Sequence, residues 1–322
     1  MNKRLLLVVL VVFFVSGCAF VNISLYVTPQ PLQEKVLEGE GKTKILLVGV
    51  SGLLSETAKD SGSLFREEVP LLSRLKEELQ KAEKDRSVGG LIVRINSPGG
   101  TVTASDAIHH EITEFKKRTG VRVVACIAGL GTSGAYYVAS SADEIVALPT
   151  SVTGSIGVIA MRFDVHDLLG KIGVSTETVK SGEKKDLWSP FRPSTPQETE
   201  IMQRMIDQLH SRFIDVVAAG RKNVLTRAEV VRLADGRIYT AEQAREAKLV
   251  DRIGYLDDAL SGIKRSLNVQ DAKLIVYHRP DTYRGTIYSD ANRLPPVVNL
   301  LNVNGDSLSL LPEVRFLYLW NP

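Results

Sequence analysis

Cysteine is scarce in this chain: Cys18 and Cys126 are the only two in 322 residues. They are too few for a disulfide framework or a cysteine-based zinc site. An excess of charge of one sign is missing as well. The formal net charge is +3, and without Lys3 and Arg4 the chain carries 38 basic residues against 37 acidic ones. That balance excludes the basic footprint of a nucleic-acid-binding surface, and no nucleic acid is expected as a partner. There is no fixed-period repeat and no low-complexity tract. The apolar run at the N-terminus, Leu5 to Val15, falls short of the ~20 residues that cross a bilayer. What remains is 44% hydrophobic and 24% charged residues, the composition of a globular protein with a substantial core.

Lys3 and Arg4 precede the apolar run, and Ser16 and Gly17 lead into Cys18. This is the layout of a secretory signal over residues 1–17. The V-S-G-C ending also resembles the lipobox of bacterial lipoproteins, which implies cleavage before Cys18 and lipid attachment to its sulfur. The alternative is an uncleaved anchor over Leu5 to Tyr26, interrupted by Ser16, Asn22 and Ser24. Both arrangements tether the protein to a membrane with its body outside the cytoplasm. Val27 to Lys42 lacks a hydrophobic period and carries Pro, Gly and charge, so residues 18–42 read as a tether and spacer.

A folded body is expected from residue 43 to 268, followed by an extension, 269–322, for packing or oligomer contacts. It opens with a buried strand from Ile45 and an amphipathic helix over residues 63–86. A second buried strand, Gly90 to Asn96, ends in Ser97-Pro98-Gly99-Gly100, with a helix over 104–117 behind it. A third strand, Val121 to Ile127, breaks at Gly129. Such alternation predicts β-α units whose strand-end loops gather on one side of a sheet. The rhythm then weakens, with short strands expected at Glu144–Leu148, around Thr153–Ile159 and at Val174–Val179. Gln197 to Ala219 reads as a long helix with Ile201, Met205, Ile206, Leu209, Phe213, Val216 and Val217 inward. Thr226 and Thr240, each followed three residues on by Glu229 or Gln243, read as N-caps. Residues 273–278 read as a last strand, and the aromatic ending RFLYLWNP is expected to pack on the domain or on a neighbour.

The third strand delivers Ser133 to a turn of small residues, Gly131, Gly134 and Ala135. A serine between a strand end and a helix start stands at a sharp bend, with the following N–H of Gly134 facing the same space. A plain turn feeding a buried helix is the competing reading. A serine hydroxyl needs a base. None of the five histidines, His109, His110, His166, His210 and His278, lies in a glycine-rich functional stretch. The polar segment 180–190 offers Lys180, Lys184 and Lys185, and a lysine held neutral by burial can serve.

Taken together, I-N-S-P-G-G (95–100), T-S-G-A-Y-Y (132–137), T-G-S-I-G-V (153–158), K-S-G-E-K-K-D (180–186) and A-D-G-R-I-Y-T-A-E-Q-A (234–244) are similar to the bacterial signal peptide peptidase A family in its short, single-repeat form. The similarity spans about Ile45 to Gly254. It implies an α/β fold related to Clp protease and crotonase, in which ββα units wind into a superhelix, and a serine protease with a Ser-Lys dyad. Position by position, Ser133 matches the nucleophile, Lys185 the general base, Ser155 the serine that orients the lysine, and Gly100 and Gly134 the oxyanion-hole donors. Thr132 and Ala135 depart from the usual Ala-Ser-Gly-Gly of that motif, which narrows the pocket beside Ser133. The resemblance further implies released signal peptides as substrates and a dome-like homo-oligomer, an octamer for the short form, with Ser133 and Lys185 meeting across a subunit boundary. If Lys185 is the base, Glu183 and Asp186 must point away from it. The rival readings are a Clp-like Ser-His-Asp peptidase, a crotonase-type acyl-thioester enzyme and a non-catalytic lipoprotein scaffold.

Overall fold

The computed structural model describes residues 30–57, 69–280, 285–289 and 316–320. In chain order it begins with strand β1 (Gln33–Glu38), β2 (Lys44–Ser51), helix α1 (Leu71–Glu83), β3 (Val88–Ser97), β4 (Gly99–Thr101), α2 (Val102–Thr119), β5 (Arg122–Thr132) and α3 (Gly134–Ala139). It continues with β6 (Glu144–Ala147), β7 (Val152–Gly154), β8 (Ile159–Ala160), α4 (His166–Lys171), α5 (Pro196–Gly220), α6 (Arg227–Leu233), β9 (Ile238–Thr240), α7 (Ala241–Glu246), β10 (Arg252–Ile253), α8 (Leu256–Ser266), β11 (Lys273–His278) and β12 (Phe316–Leu319).

The main sheet has the order β1-β11-β2-β3-β5-β6-β10, with β7 beside the end of β5 and β9 beside β7. All neighbours from β11 to β10 run parallel, as does β7 on β5; β1 on β11 and β9 on β7 are antiparallel. Parallel strands buried on both faces read as continuous apolar runs, which is how KILLVGVS and VGGLIVRINS read. Alternation divides their side chains between two layers. Leu46, Val48, Leu91, Val93, Val123 and Ala125 pack with α1, α2 and α3, while Ile45, Leu47, Ile92, Val124 and Cys126 pack with Leu256, Leu260 and Ile263 of α8. The Cys126 thiol is buried, and burial pushes its pKa up to about 12.

The ββα rhythm is visible around the site. β3 leads to β4, which leaves the main sheet, and then to α2. The residues after β2 repeat this, with Leu54 bridging in parallel to Gly100. α2 starts where Thr101 Oγ1 accepts from the Ala104 N–H at 3.1 Å and stops at Gly120, whose φ of 68° only glycine adopts without strain. The capping boxes at Thr226 and Thr240 form as expected.

Four expectations need correction. Residues 33–38, read as spacer, form an edge strand: Val36 lies opposite Ile275, and the Glu40 N–H donates to Asp271. Such a strand draws its stability from backbone pairing with β11, which has no period of its own to detect. The first helix spans 71–83, after Pro70, and residues 63–68 of the expected helix lie outside the described residues. Val174–Val179 forms no strand; no strand among the described residues pairs with it, and Val179 is 95% exposed. In α5 the inward face is Met202, Phe213, Ile214, Val216 and Val217, whereas Met205 is exposed and Ile201, Ile206 and Leu209 are half-buried, because the first half of the helix projects from the core. The N-terminal segment with Cys18 lies outside the described residues. Among the described residues no helix is long and apolar enough to cross a membrane.

Candidate active site

β5 and β7 end side by side, with Thr132 opposite Gly154. That register places Ser133 next to Ser155 at the C-terminal edge of the sheet. Both serines have positive φ, 54° and 51°, a region that costs an ordinary residue free energy and persists where the surroundings hold it. Here backbone hydrogen bonds hold it: the Ser133 N–H donates to Gly154 O at 2.7 Å and the Ser155 N–H to Arg237 O at 2.7 Å. Ser133 O in turn accepts from the Tyr137 N–H in the first turn of α3 at 2.9 Å. Ser133 thus stands on a strained strand-to-helix bend, 1% exposed, and Ser155 is 8% exposed. Because the Ser133 N–H is already engaged, it does not serve as an oxyanion donor.

Across from this bend lies the Ser97–Gly100 turn. The Gly99 N–H donates to Ser97 Oγ at 3.1 Å, and Gly99 has φ of 100°. A Cβ on Gly99 would lie 2.8 Å from Gly134 N, so this backbone closes directly on the start of α3. Gly100 is equally confined, since a Cβ there would meet Leu54 O at 1.9 Å. The turn at Gly99 thus lies against Gly134, the residue that follows Ser133 in the chain. Sequence reasoning singled out Gly100 and passed over Gly99; its signal was the glycine pair after proline.

Histidine is not part of this arrangement. His109 packs edge-on against Tyr137 at 5.3 Å, and burial lowers its pKa to about 4. His166 Nδ1 contacts Phe191 O. Among the described residues no hydrogen bond joins a histidine to Ser133.

The structure does not bring Lys185 to Ser133 within one chain. Residues 161–195 form an arm folded back on itself, with the Val165 N–H on Pro190 O at 2.9 Å and an Arg162 guanidinium N–H on Ser189 O at 2.8 Å. The base of the arm is an ion cluster. Asp186 accepts from Arg192 and Lys180 at 2.8 and 2.7 Å, and Arg192 also reaches Glu198 at 2.6 Å. Arg192, then Lys180, hold the Asp186 carboxyl well below its usual range, and Arg192 with the Thr195 N–H lowers Glu198 to about 2. Glu183 is paired with Lys184 at 2.8 Å. Both acids are thus engaged by other cations, and Lys185 lies exposed with no carboxylate partner among the described residues.

The sequence is similar to those of known proteins. The sequence model described as Peptidase family S49 matches residues 115–270. A protein named "Putative signal peptide peptidase SppA" from Enterococcus faecium is 36% identical over 81% of this chain and 75% of its own length. Protease 4 of Haemophilus influenzae is 32% identical over 70% of this chain and 35% of its own length, and the chloroplastic serine protease SPPA of Arabidopsis thaliana is 30% identical over 75% and 36%. Among solved structures, a membrane-bound stomatin-specific protease aligns with a TM-score of 0.44 and 13% identity, covering 69% of this chain and 85% of that one. The E. faecium similarity extends across most of both sequences, and the chain belongs to Peptidase family S49, the serine peptidases.

Proposed function

We propose that this S49 peptidase is a membrane-tethered endopeptidase with a Ser133-Lys185 dyad, which degrades released signal peptides and other loose hydrophobic peptides outside the cytoplasm. The observation that carries the reading is Ser133 on its strained bend beside Ser155, facing the Gly99-Gly100 turn. Neutral Lys185 takes the Ser133 proton, Ser133 Oγ adds to the scissile carbonyl, and the Gly100 and Gly134 N–H groups stabilise the oxyanion; the adduct then collapses, the C–N bond breaking as the Lys185 ammonium returns the proton to the leaving amine, which gives the acyl-enzyme and a neutral lysine. Ser155, at the adjoining strand end, positions the lysine amine. Water activated by the same lysine then clears the acyl-enzyme. No metal or organic cofactor enters these steps.

The lysine comes from a neighbouring copy of the chain. Its arm is exposed and presents apolar side chains to solvent, including Phe163 at 68% and Ile172 at 65% exposure, a surface of the kind that marks protein association. The test is hydrolysis of a fluorogenic hydrophobic peptide by wild type, Ser133→Ala, Lys185→Ala and Lys184→Ala. The first two substitutions should reduce kcat by about 10⁴-fold or more, and Lys184→Ala should stay close to wild type. Equal turnover by wild type and Ser133→Ala would remove the site from the chemistry.

A further inference from the structure

Residues 234–244 contribute no group to the proposed chemistry, yet their backbone closes on both serines of the site. β9 runs antiparallel to β7, with Ile238 opposite Gly154, Tyr239 opposite Thr153 and Thr240 opposite Val152. One step beyond that ladder the Ser155 N–H donates to Arg237 O at 2.7 Å, and on the β5 side Gly154 O accepts from the Ser133 N–H at 2.7 Å. Gly154 and Ser155 are consecutive left-handed residues, with φ of 85° and 51°. Two such residues in a row persist only where their surroundings fix them.

Tyr239 supplies those surroundings twice over. A Cβ on Gly154 would lie 2.4 Å from Tyr239 Cδ2 and 3.0 Å from Cε2, so the ring fills the space that a side chain at 154 would take. The residue is 9% exposed, and its hydroxyl donates to Leu233 O at 3.2 Å. Leu233 ends α6 and Ile238 begins β9, so this bond closes the turn that carries Arg237 O. Within the turn the Asp235 carboxylate accepts from the Arg237 N–H at 3.1 Å and from its guanidinium at 2.7 Å. Thr153, opposite Tyr239, donates its hydroxyl to Gly131 O at 2.6 Å and ties β7 to β5 just before Ser133.

We infer that Tyr239 is a positioning residue of the peptidase reaction: its ring against Gly154 and its hydroxyl on the Arg237 turn hold Ser133 and Ser155 in register with each other. The inference rests on the Ser-Lys reading of the site. In that reading Ser155 places the lysine amine and Ser133 gives it a proton, so a shift of one serine against the other misaligns proton transfer. Tyr239 lies behind the strand ends and touches no substrate, so peptide binding is spared. Leucine in its place opens room beside Gly154, and the left-handed pair relaxes.

The test measures kcat and KM on a fluorogenic hydrophobic peptide with full-length protein solubilised in detergent. It compares wild type, Ser133→Ala, Tyr239→Phe, Tyr239→Leu, Ser155→Ala and Ser155→Ala/Tyr239→Leu. Tyr239→Leu should lower kcat about 30-fold with KM within about twofold. Tyr239→Phe keeps the ring and loses one neutral hydrogen bond, so its kcat should fall only about threefold. Ser155→Ala is expected at about one-hundredth of wild-type kcat. With that hydroxyl gone there is no register left to keep, and adding Tyr239→Leu should cost about threefold or less. Wild-type kcat in Tyr239→Leu overturns the inference, as does a loss of about 30-fold on top of Ser155→Ala. A raised KM at unchanged kcat also overturns it, since Tyr239 would then be a substrate contact. If Tyr239→Leu does not fold, Tyr239→Met fills more of the ring's volume and should lower kcat about tenfold at unchanged KM; wild-type kcat there overturns the inference. Should Ser133→Ala turn over like wild type, the Ser-Lys reading falls and takes the inference with it. With Ser133→Ala inactive, an unaltered kcat in Tyr239→Leu refutes the role of Tyr239 alone.

Discussion

Ser133 and Lys185 stand at opposite extremes of one molecule. Ser133 is fixed by backbone hydrogen bonds on both sides, buried where two parallel strands end against a glycine turn. Lys185 lies on an exposed arm whose order comes from ion pairs at its base and whose apolar side chains face outward. The serine half of the proposed site is complete in a single chain and shaped by the sheet. The lysine half is displayed, and its environment depends on what covers the arm.

The sharpest way to break this comparison is to divide the dyad between chains. Ser133→Ala and Lys185→Ala proteins, each inactive alone, should regain about one quarter of wild-type turnover when co-assembled in equal amounts, if each site takes its serine and lysine from adjacent copies. No recovery in mixed assemblies would mean that each chain supplies both groups. Next in size is the arm surface. Phe163→Asp should lower the assembly mass in light scattering and turnover by about 100-fold, while the thermal midpoint of the isolated chain barely moves, since exposed sites contribute within about 0.5 kcal/mol. The smallest effect concerns the ion cluster. Glu198 is held at about 2 in the folded chain, below its ordinary value of 4.5. Its contribution to folding is therefore present above the ordinary value and lost as pH falls towards 2. Limited proteolysis of the arm should separate wild type from Glu198→Gln at pH 7, and the two should converge at pH 2.

The serine half was also the more legible. Small residues around Ser133, an apolar strand before it and the glycine pair at 99–100 are local signals, and the structure places them together because parallel strands bring their C-terminal ends to one edge. Continuous apolar runs disclosed β2, β3 and β5 for the same reason. Periodicity failed where an element depends on a distant partner. β1 is an edge strand that exists through β11, and β12 through β4, more than 200 residues away. Val174–Val179 has strand-like composition and no strand to join. The outward half of α5 looks inward by period because periodicity gives a face and not what covers it. Asp106 carried no signal at all; its importance lies in bracing Tyr137 from another helix.

Cys126, the one thiol among the described residues, sits in the middle of β5, which runs from the central sheet directly to Ser133. Its high pKa and complete burial keep it inert while β3, β5 and β6 remain paired. Modification of this sulfur therefore waits for the centre of the sheet to part, and its rate is a clock for the slowest opening of the scaffold that holds the nucleophile.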